Sequence, residues 1–594
     1  MSKIKLSDYI AKRLKEHGVD HFFMVSGGGA MHLNDSLGHA IPYTANHHEQ
    51  ACSIAAEGYA RVNQKLAVVN VTTGPGGLNC LNGVFGQWTD SVPVLYISGQ
   101  VKRRTMLTSF PEIPMRQLGD QEVDIISVVK PLTKYAVTVE EPNEIKYHID
   151  RAIYEATTGR FGPVWVNVPI DVQASIIDED DLKEFDIKSF KAKPLDSLVD
   201  KVNEVPEKLK NAKRPLIIAG HGIRLSGQIE NFRKLVGELK IPVVTTFNGM
   251  DIIESNNPYY VGRIGTIGQR GGNFALQNAD LVLCLGTRNN IRQVSYNWEN
   301  FAKNAYKIVV DIDKSELDKP LVIPDLKVCA DLNEFIPAFL SEIKEQNKLD
   351  WLKFCQNLKN KYSFENHPES EQKDDVINPY YFTYTLSKCM QENDIFVMTN
   401  GSACVCPFQN AIVKEGQRFI LNSGNASMGY GLPAAIGACY QSKGRNVICL
   451  EGDGSIMMNI QELQTIVFNK LPIKLFVINN SGYSSIRQTQ RNFFDGRMTG
   501  SGVDSGVSVP DFVKVGEAFG LKTKRIENPA TMEAEIKEVL STEGAVVCEV
   551  MVEKEYAFLP KLSSKKLPDG TMISPTLEDM FPFLDREEYK ENIL

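Results

Sequence analysis

Apolar runs long enough to cross a membrane are missing from this sequence. None approaches the ~18 residues that a spanning helix needs. The first six residues, Met1 to Leu6, include charged lysines and lack the apolar core of a signal peptide. We therefore expect neither a membrane partner nor a secretory leader.

A disulfide framework is also missing. The 11 cysteines are scattered, several of them inside apolar runs, and none forms a C-x-x-C pair. This distribution is typical of buried, reduced thiols. It predicts a cytoplasmic protein.

Positive charge is in deficit. The formal net charge is −8, which argues against nucleic acid or an anionic membrane as the main partner. What is present is an ordinary globular composition, with 43% hydrophobic and 23% charged residues. At about 100–200 residues a domain, 594 residues predict several domains.

Two short motifs each follow a buried-strand pattern. The apolar run Val447–Leu450 leads into Glu451-Gly452-Asp453-Gly454-Ser455, and the run Leu475–Ile478 leads into Asn479-Asn480-Ser481-Gly482-Tyr483. Between them, apolar residues at helical spacing predict a helix over 457–469. A right-handed crossover sets two such strand ends side by side, where open α/β sheets bind ligands.

The residue types in these motifs suit a hard cation that bridges the protein to a diphosphate. Magnesium prefers oxygen ligands and takes few of them from protein. Asp453, the Asn480 side chain and the Gly482 carbonyl are the predicted ligands. The alternative for Gly-Asp-Gly by itself is a tight turn between strand and helix.

The first 175 residues carry a second set of glycine turns. Ser26-Gly27-Gly28-Gly29 follows a strand pattern but is not G-x-G-x-x-G, so it is a weak nucleotide-binding signal. The small-residue run 51–60 predicts a closely packed helix with Glu49 at its amino end, where an acid also stabilises the helix dipole. His47 and His48 are expected to be surface or core histidines.

These segments together resemble the acetolactate synthase group of thiamine-diphosphate (ThDP) enzymes. The resemblance rests on the helix pattern H-E-x-x-x-x-x-A-A-x-G-Y-A-R from His48, the T-x-G-P-G turn at 72–76 and the strand D-S-V-P-V at 90–94. It continues through Gly119-Asp120-Gln121-Glu122 and the Gly452–Gly482 unit. It covers almost the whole chain.

The resemblance implies an α/β fold of three doubly wound parallel-sheet domains. These are a pyrimidine-binding domain over 1–175, a central domain over 196–345 and a diphosphate-binding domain over 376–555, followed by a tail over 556–594. A linker is predicted from about 177 to 194. The tail is basic and proline-punctuated, and is either a solvated segment or one that docks over the active site or a neighbouring subunit.

The resemblance also implies the cofactors and the residues that hold them. The matching glutamate, Glu49, contacts the aminopyrimidine ring of ThDP and assists its deprotonation, while Gln121 lies near the reacting centre. Met428 lies under the bend of the cofactor, and the Ala426 carbonyl accepts a hydrogen bond from its amino group. The residues predicted to bind ThDP and Mg²⁺ are Gly28, Gly74, Asn79, Gly401, Ser402, Ala426, Met428, Gly452, Asp453, Gly454, Ser455, Asn480, Gly482 and Tyr483.

The central segment alternates strand and helix patterns, which by themselves indicate only a possible nucleotide site. In the family this domain holds FAD, here through Gly220, Thr246, Gly286, Arg288, Arg292 and Asp311. The family's usual R-F-D-D-R reads Arg288-Asn289-Asn290-Ile291-Arg292 here, without either acid. The sequence therefore leaves open whether FAD is bound and whether the contacts to a second substrate are kept.

The implied function is a carboligase. A 2-keto acid, in the first place pyruvate, is decarboxylated and its two-carbon unit passes to an acceptor carbonyl of another keto acid or a keto-sugar. Thr489 stands where the family has an aromatic residue that shapes the acceptor pocket. A homodimer or homotetramer is implied, because family members complete the site with a second chain. The alternatives are a 2-keto acid decarboxylase or oxidase and, of another class, an inactive regulatory subunit.

Overall fold

Three parallel β-sheets of six strands each organise the chain. The computed structural model describes residues 3–190, 198–343, 348–368, 371–566, 569 and 571–594. The predicted α/β class with three doubly wound sheets is confirmed. The domain boundaries stay a prediction, and the limits 196 and 345 and the linker after residue 190 lie outside the described residues.

The first sheet lies in the amino-terminal part of the chain. In spatial order its strands are Tyr43–Ala45, Phe22–Met24, Ala67–Val71, Val94–Gln100, Val164–Pro169 and Tyr135–Thr138. The helices that cover it are Leu6–Glu16, Met31–Ala40, Glu49–Asn63, Pro75–Asn79, Leu81–Asp90, Ile125–Val129, Ile145–Thr157 and Ile170–Gln173. A separate antiparallel pair joins Lys3–Lys5 to Ile176–Asp178.

The second sheet has the strand order of a dinucleotide-binding fold. Its strands are Tyr260–Arg263, Val243–Thr245, Pro215–Ala219, Leu281–Leu285, Tyr306–Asp311 and Leu326–Cys329 in spatial order. Counted along the chain, this is the order 3-2-1-4-5-6. Its helices are Leu198–Asn211, Gly222–Leu225, Ile229–Leu239, Arg270–Asn278, Ile291–Val294, Lys314–Asp318 and Leu332–Glu342. The helix Leu349–Lys361 then connects to the third sheet.

The third sheet contains the two motif strands. Its strands are Arg418–Ile420, Ile395–Met398, Val447–Gly452, Ile473–Asn479, Val546–Met551 and Lys522–Ile526 in spatial order. Its helices are Pro379–Cys389, Ser402–Asn410, Gly431–Gln441, Asp453–Ile456, Leu463–Asn469, Ser484–Phe493, Phe512–Ala518 and Met532–Ser541. The first and third sheets share one order along the chain, 2-1-3-4-6-5, so the two outer domains have the same topology.

Sequence pattern explains why these strands are central. Val447, Ile448, Cys449 and Leu450 are all at most 1% exposed, because helices cover both faces of the sheet. Continuous apolar runs therefore mark the strands that lead into the motifs.

One helix prediction was wrong in its bounds. The predicted helix over 457–469 is instead a 3₁₀ turn, Ile460–Glu462, followed by the helix Leu463–Asn469. Asn459 leaves the helical path at φ −139°, and its side-chain amide donates to the Gly429 carbonyl at 2.8 Å. A tertiary hydrogen bond thus interrupts the local periodicity.

The later part of the tail packs against the central domain. Arg270 donates to the carbonyls of Met580 and Pro582, and Asn273 donates to that of Leu577 at 3.0 Å. The helix Arg586–Glu591 lies near the end of the chain. Among the described residues, no helix is both long and apolar enough to cross a membrane.

Candidate active site

The carboxyl edge of the third sheet brings four predicted segments together. Ser455 joins three of them, since its hydroxyl lies 3.1 Å from the Thr399 hydroxyl and accepts from the Gly429 amide at 2.9 Å. The fourth segment joins through Asp453, whose carboxylate accepts from the amides of Asn480 and Gly482 at 3.0 and 2.9 Å. Two of these segments follow the neighbouring strands Ile395–Met398 and Val447–Gly452, between which the strand order reverses. Ligands bind at such switch points in open α/β sheets.

Asp453 is a buried carboxylate with backbone partners. Its third hydrogen bond comes from the Gly454 amide at 2.7 Å. Burial raises the pKa of Asp453 to about 6, against the opposing effect of these amides. A cation beside Asp453 would stabilise its charged form.

Asn480 supplies a second oxygen at the same place. Its side chain is 4% exposed, and its Oδ1 accepts no hydrogen bond within the described residues. A buried acceptor without a partner costs about 1–3 kcal/mol. Asp453 and Asn480 therefore fit a hard cation, and Gly482, two residues after Asn480, adopts φ +124°.

The start of a helix at this sheet edge offers backbone amides to an anion. Gly401 adopts φ +54°, and the helix Ser402–Asn410 begins after it. Nothing lies within 4 Å of where a Gly401 side chain would be, so this backbone is open to a ligand. A helix amino terminus of this kind favours phosphate.

The remaining predicted residues of the third domain lie in the same segments. The Tyr483 ring packs against Gly454, where an added Cβ would come within 2.2 Å of the ring. Gly452 is the residue before the helix Asp453–Ile456. Met428 is half-buried, and Ala426 adopts the left-handed φ of +55° while its carbonyl accepts from Asn400 at 3.2 Å.

The amino-terminal domain gathers a second group of predicted residues. The Glu49 carboxylate accepts from the Asn79 amide at 2.9 Å. Gly74 adopts φ +61°, and an added Cβ there would lie 1.8 Å from the Gln121 carbonyl, so only glycine fits. Gln121 is exposed at φ +59°, and Gly28 begins a 3₁₀ turn.

The histidines beside Glu49 are not placed as ligands. The His48 ring accepts from the Gln50 amide and caps the helix Glu49–Asn63. His47 is exposed, and its backbone amide donates to Glu462.

The two groups stay separate within one chain. In the described parts of the chain, no hydrogen bond or ion pair joins Glu49, Asn79 or Gln121 to the predicted residues of the third sheet. Each group is held by contacts within its own domain.

The central sheet opens a cleft of about 380 Å³ at its own switch point, between the strands that end at Ala219 and Leu285. Five of the predicted flavin-binding residues line it, namely Thr246, Gly286, Arg288, Arg292 and Asp311. Gly220 lies beside it, and its amide donates to the Leu285 carbonyl at 2.9 Å.

Side chains of both charge signs line this cleft. The Arg292 guanidinium lies 4.8 Å from the centre of the Phe247 ring, and Arg288 lies 3.7 Å from Asp90. Burial raises the pKa of Asp311 to about 6. His221, which sequence reasoning gave no role, also lines the cleft, and its Nδ1 has no hydrogen-bond partner within the described residues.

Sequence reasoning missed one residue of the third-sheet edge, Tyr556. The Tyr556 hydroxyl contacts the hydroxyls of Ser402 and Ser484 and the side chain of Asn480. Arg487 donates to the carbonyl oxygens of the same loop. No local motif signals Tyr556, because it follows the strand Val546–Met551 and reaches the site only in the folded chain.

Comparisons with known proteins agree with this arrangement. Residues 4–127 match the family "Thiamine pyrophosphate enzyme, N-terminal TPP binding domain", 202–339 match the central domain of these enzymes and 400–550 match their C-terminal TPP binding domain. The chain is 32% identical to the acetolactate synthase large subunit of Lactococcus lactis, covering 95% of this chain and 96% of that protein. It is 29% identical to the isozyme 2 large subunit of Escherichia coli, covering 97% and 99%. A probable acetolactate synthase large subunit of Methanocaldococcus jannaschii is 30% identical, with 93% of each chain covered.

Proposed function

The chain belongs to the thiamine pyrophosphate enzymes of the acetolactate synthase large-subunit type, and from this premise we propose that it is a ThDP-dependent carboligase. It decarboxylates a 2-keto acid, in the first place pyruvate, and transfers the two-carbon unit to an acceptor carbonyl. The observation that carries this proposal is the meeting of Asp453, Asn480 and Ser455 with the turns at Gly401 and Gly429 on one sheet edge. ThDP supplies the electron sink for the decarboxylation when it is bound.

Mg²⁺ is the proposed metal. Asp453 and Asn480 offer side-chain oxygens to it and Gly482 its carbonyl, while the helix start at Ser402 receives the diphosphate. The unpartnered Asn480 Oδ1 supports this assignment. Calorimetric titration of Mg²⁺ in the presence of ThDP tests it, with Asp453→Ala and Asn480→Ala expected to abolish metal binding.

Glu49, Gln121 and Met428 have the proposed catalytic roles. Glu49 would hold a proton at the aminopyrimidine, Gln121 would orient the substrate, and Met428 would support the cofactor. Asn79 supports the first role, because its amide fixes the orientation of the Glu49 carboxyl.

A second copy of the chain completes each site in this proposal. Large apolar side chains are exposed in both outer domains, namely Leu78, Phe85 and Trp88 in the first and Met457 and Met458 in the third. Burial of such groups against a second chain would favour association. We propose a homodimer or a homotetramer, which light scattering coupled to gel filtration tests. A mass of one chain at micromolar concentration with ThDP and Mg²⁺ would contradict it.

FAD is proposed for the central cleft. The strand order of this sheet, the glycines at 220 and 286 and the two cleft arginines support it. An absorption band near that of free flavin, released from the denatured protein, is the expected result. Protein purified after growth with riboflavin but without this band would contradict the flavin, and leave the ThDP proposal untouched.

The acceptor is a keto acid or a keto-sugar. This chain has Thr489 at the position where the family uses an aromatic ring to bound its acceptor pocket. Thr489 is exposed, and its hydroxyl donates to the Ser485 carbonyl. Incubation with pyruvate and a panel of acceptor ketones, followed by mass spectrometry, tests the carboligation. Acetaldehyde or acetate without a new carbon–carbon bond would instead indicate a decarboxylase or oxidase, and absence of ThDP binding would indicate a regulatory subunit.

We also propose a cytoplasmic location. All 11 cysteines are free thiols, and nine of them are buried, as reduced thiols of a reducing compartment are.

A further inference from the structure

The side-chain amide of Asn480 has partners for its nitrogen but none for its oxygen. Nδ2 donates to the Ser484 hydroxyl at 3.3 Å and to the Tyr556 hydroxyl at 3.4 Å. Oδ1 is buried and accepts no hydrogen bond within the described residues. An asparagine amide can turn over and exchange these two atoms, and here it is the nitrogen that faces the hydroxyls.

Tyr556 is the centre of this cluster of hydroxyls. It is 7% exposed, and its oxygen contacts Ser402 and lies 3.0 Å from the Ser484 hydroxyl. Its own proton can go to either serine, which leaves its lone pair to accept from Asn480. Its ring belongs to the apolar core of the third domain, so the position of the hydroxyl is fixed by packing.

Arg487 fastens the backbone on both sides of the cluster. Its Nη2 donates to the Asn480 and Lys554 carbonyls, both at 2.9 Å. Its Nη1 donates to the Ser501 carbonyl at 3.0 Å. The segment before Tyr556 and the loop that carries Asn480 are therefore held to one guanidinium.

We propose that Tyr556 is a positioning residue for the divalent cation: with Ser484 it holds the Asn480 amide nitrogen, so that Oδ1 remains the free acceptor beside Asp453. The inference rests on the proposed roles of Asn480 and Asp453 as ligands. An amide that turned over would present N–H groups to a cation and repel it. Partners that orient a metal ligand are typically worth about 10–100-fold in metal affinity.

The test measures the dissociation constant of Mg²⁺ by calorimetry on the full chain with ThDP. Tyr556→Phe removes the hydroxyl and keeps the ring, and we expect the dissociation constant to rise about tenfold. Tyr380→Phe is the matched control, since Tyr380 is also buried but bonds Gln409 and the Leu559 amide. It should leave the Mg²⁺ affinity unchanged.

A double-mutant cycle separates orientation from a merely structural effect. Asn480→Asp supplies two equivalent oxygens that need no orientation, so in that background Tyr556→Phe should no longer weaken Mg²⁺ binding. An equal loss in both backgrounds would overturn the proposal, as would an unchanged dissociation constant in Tyr556→Phe alone. Ser484→Ala should weaken Mg²⁺ binding in the same direction, and serves as the readout if Tyr556→Phe does not fold.

Failure of this inference is distinguishable from failure of the proposed function. If Asn480→Ala leaves Mg²⁺ binding intact, the ligand assignment itself is wrong. If Asn480→Ala abolishes it while Tyr556→Phe and Ser484→Ala do not change it, only the positioning role is wrong.

Discussion

Gly58 and Gly437 bring two helices from different domains into backbone contact. A Cβ at Gly58 would lie 2.0 Å from the Ala434 carbonyl oxygen, and one at Gly437 would lie 1.8 Å from that of Ala55. The helices are Glu49–Asn63, which begins with the proposed catalytic acid, and Gly431–Gln441, which follows Met428. The contact therefore fixes how the first and third domains of one chain are placed.

Replacement of either glycine by alanine should separate these helices. We expect Gly437→Ala to destabilise the protein by about 1–3 kcal/mol, the usual cost of overpacking. The atoms that the new Cβ would meet belong to the backbone of Ala55 and Tyr59 and cannot move individually. Thermal unfolding followed by circular dichroism measures it. Gly237→Ala is the control, since its helix position is open and alanine there should be neutral or stabilising. Equal melting temperatures for both variants would contradict the close contact.

Glu49→Gln should remove catalysis and keep cofactor binding. The amide can still bond Asn79 but cannot hold the proton that the aminopyrimidine needs, so we expect turnover of pyruvate to fall about 10²–10⁴-fold. Because Asp453 and Ser402 would still hold the diphosphate, the calorimetric affinity for ThDP should change little. Glu141→Gln at an exposed position serves as the control. Full turnover in Glu49→Gln would refute its assignment.

His21 should make the protein sensitive to acid. Its ring stacks on Tyr440, with centroids 4.0 Å apart, and burial lowers its pKa to about 4. Between pH 4 and 6.5 the unfolded chain therefore binds more protons at this position than the folded chain, so stability is lost as pH falls from 6.5 towards 4. The contribution is at most about 3 kcal/mol, at ~1.4 kcal/mol for each pKa unit.

His21→Phe tests this dependence, because it keeps an aromatic ring against Tyr440 and removes the titrating group. The melting temperature of the variant should fall less between pH 6.5 and 4.5 than that of the parent. Parallel pH profiles would contradict a buried, neutral His21.

Removal of residues 557–594 should destabilise the central domain. Arg270 is 2% exposed and donates to two tail carbonyls, and each buried donor left without its partner costs about 1–3 kcal/mol. A lower unfolding midpoint in urea is expected for the truncated chain. Arg270→Leu in the full chain is the matched comparison, since it removes both of these hydrogen bonds and keeps the tail. An unchanged midpoint after truncation would show that the tail contributes nothing to stability.

The sequence by itself determined the local parts of this protein. Apolar runs that end in Gly-Asp-Gly and Asn-Asn predict buried parallel strands with an acid and an amide at their ends, because strands covered on both faces must be apolar throughout. The small-residue run after Glu49 likewise predicts close helix packing. The resemblance to ThDP enzymes could also be recognised from the sequence, because each motif that carries it lies within one short segment.

Only the tertiary structure decided which distant residues meet. Tyr556 joins Asn480 although 76 positions separate them, and the tail covers Arg270 instead of extending into solvent. The break of the predicted helix at Asn459 has the same origin, a hydrogen bond to Gly429. The hydrophobic periodicity of a segment shows which of its faces is buried. It does not show which other segment packs against that face, because this depends on the order of the strands in the sheet.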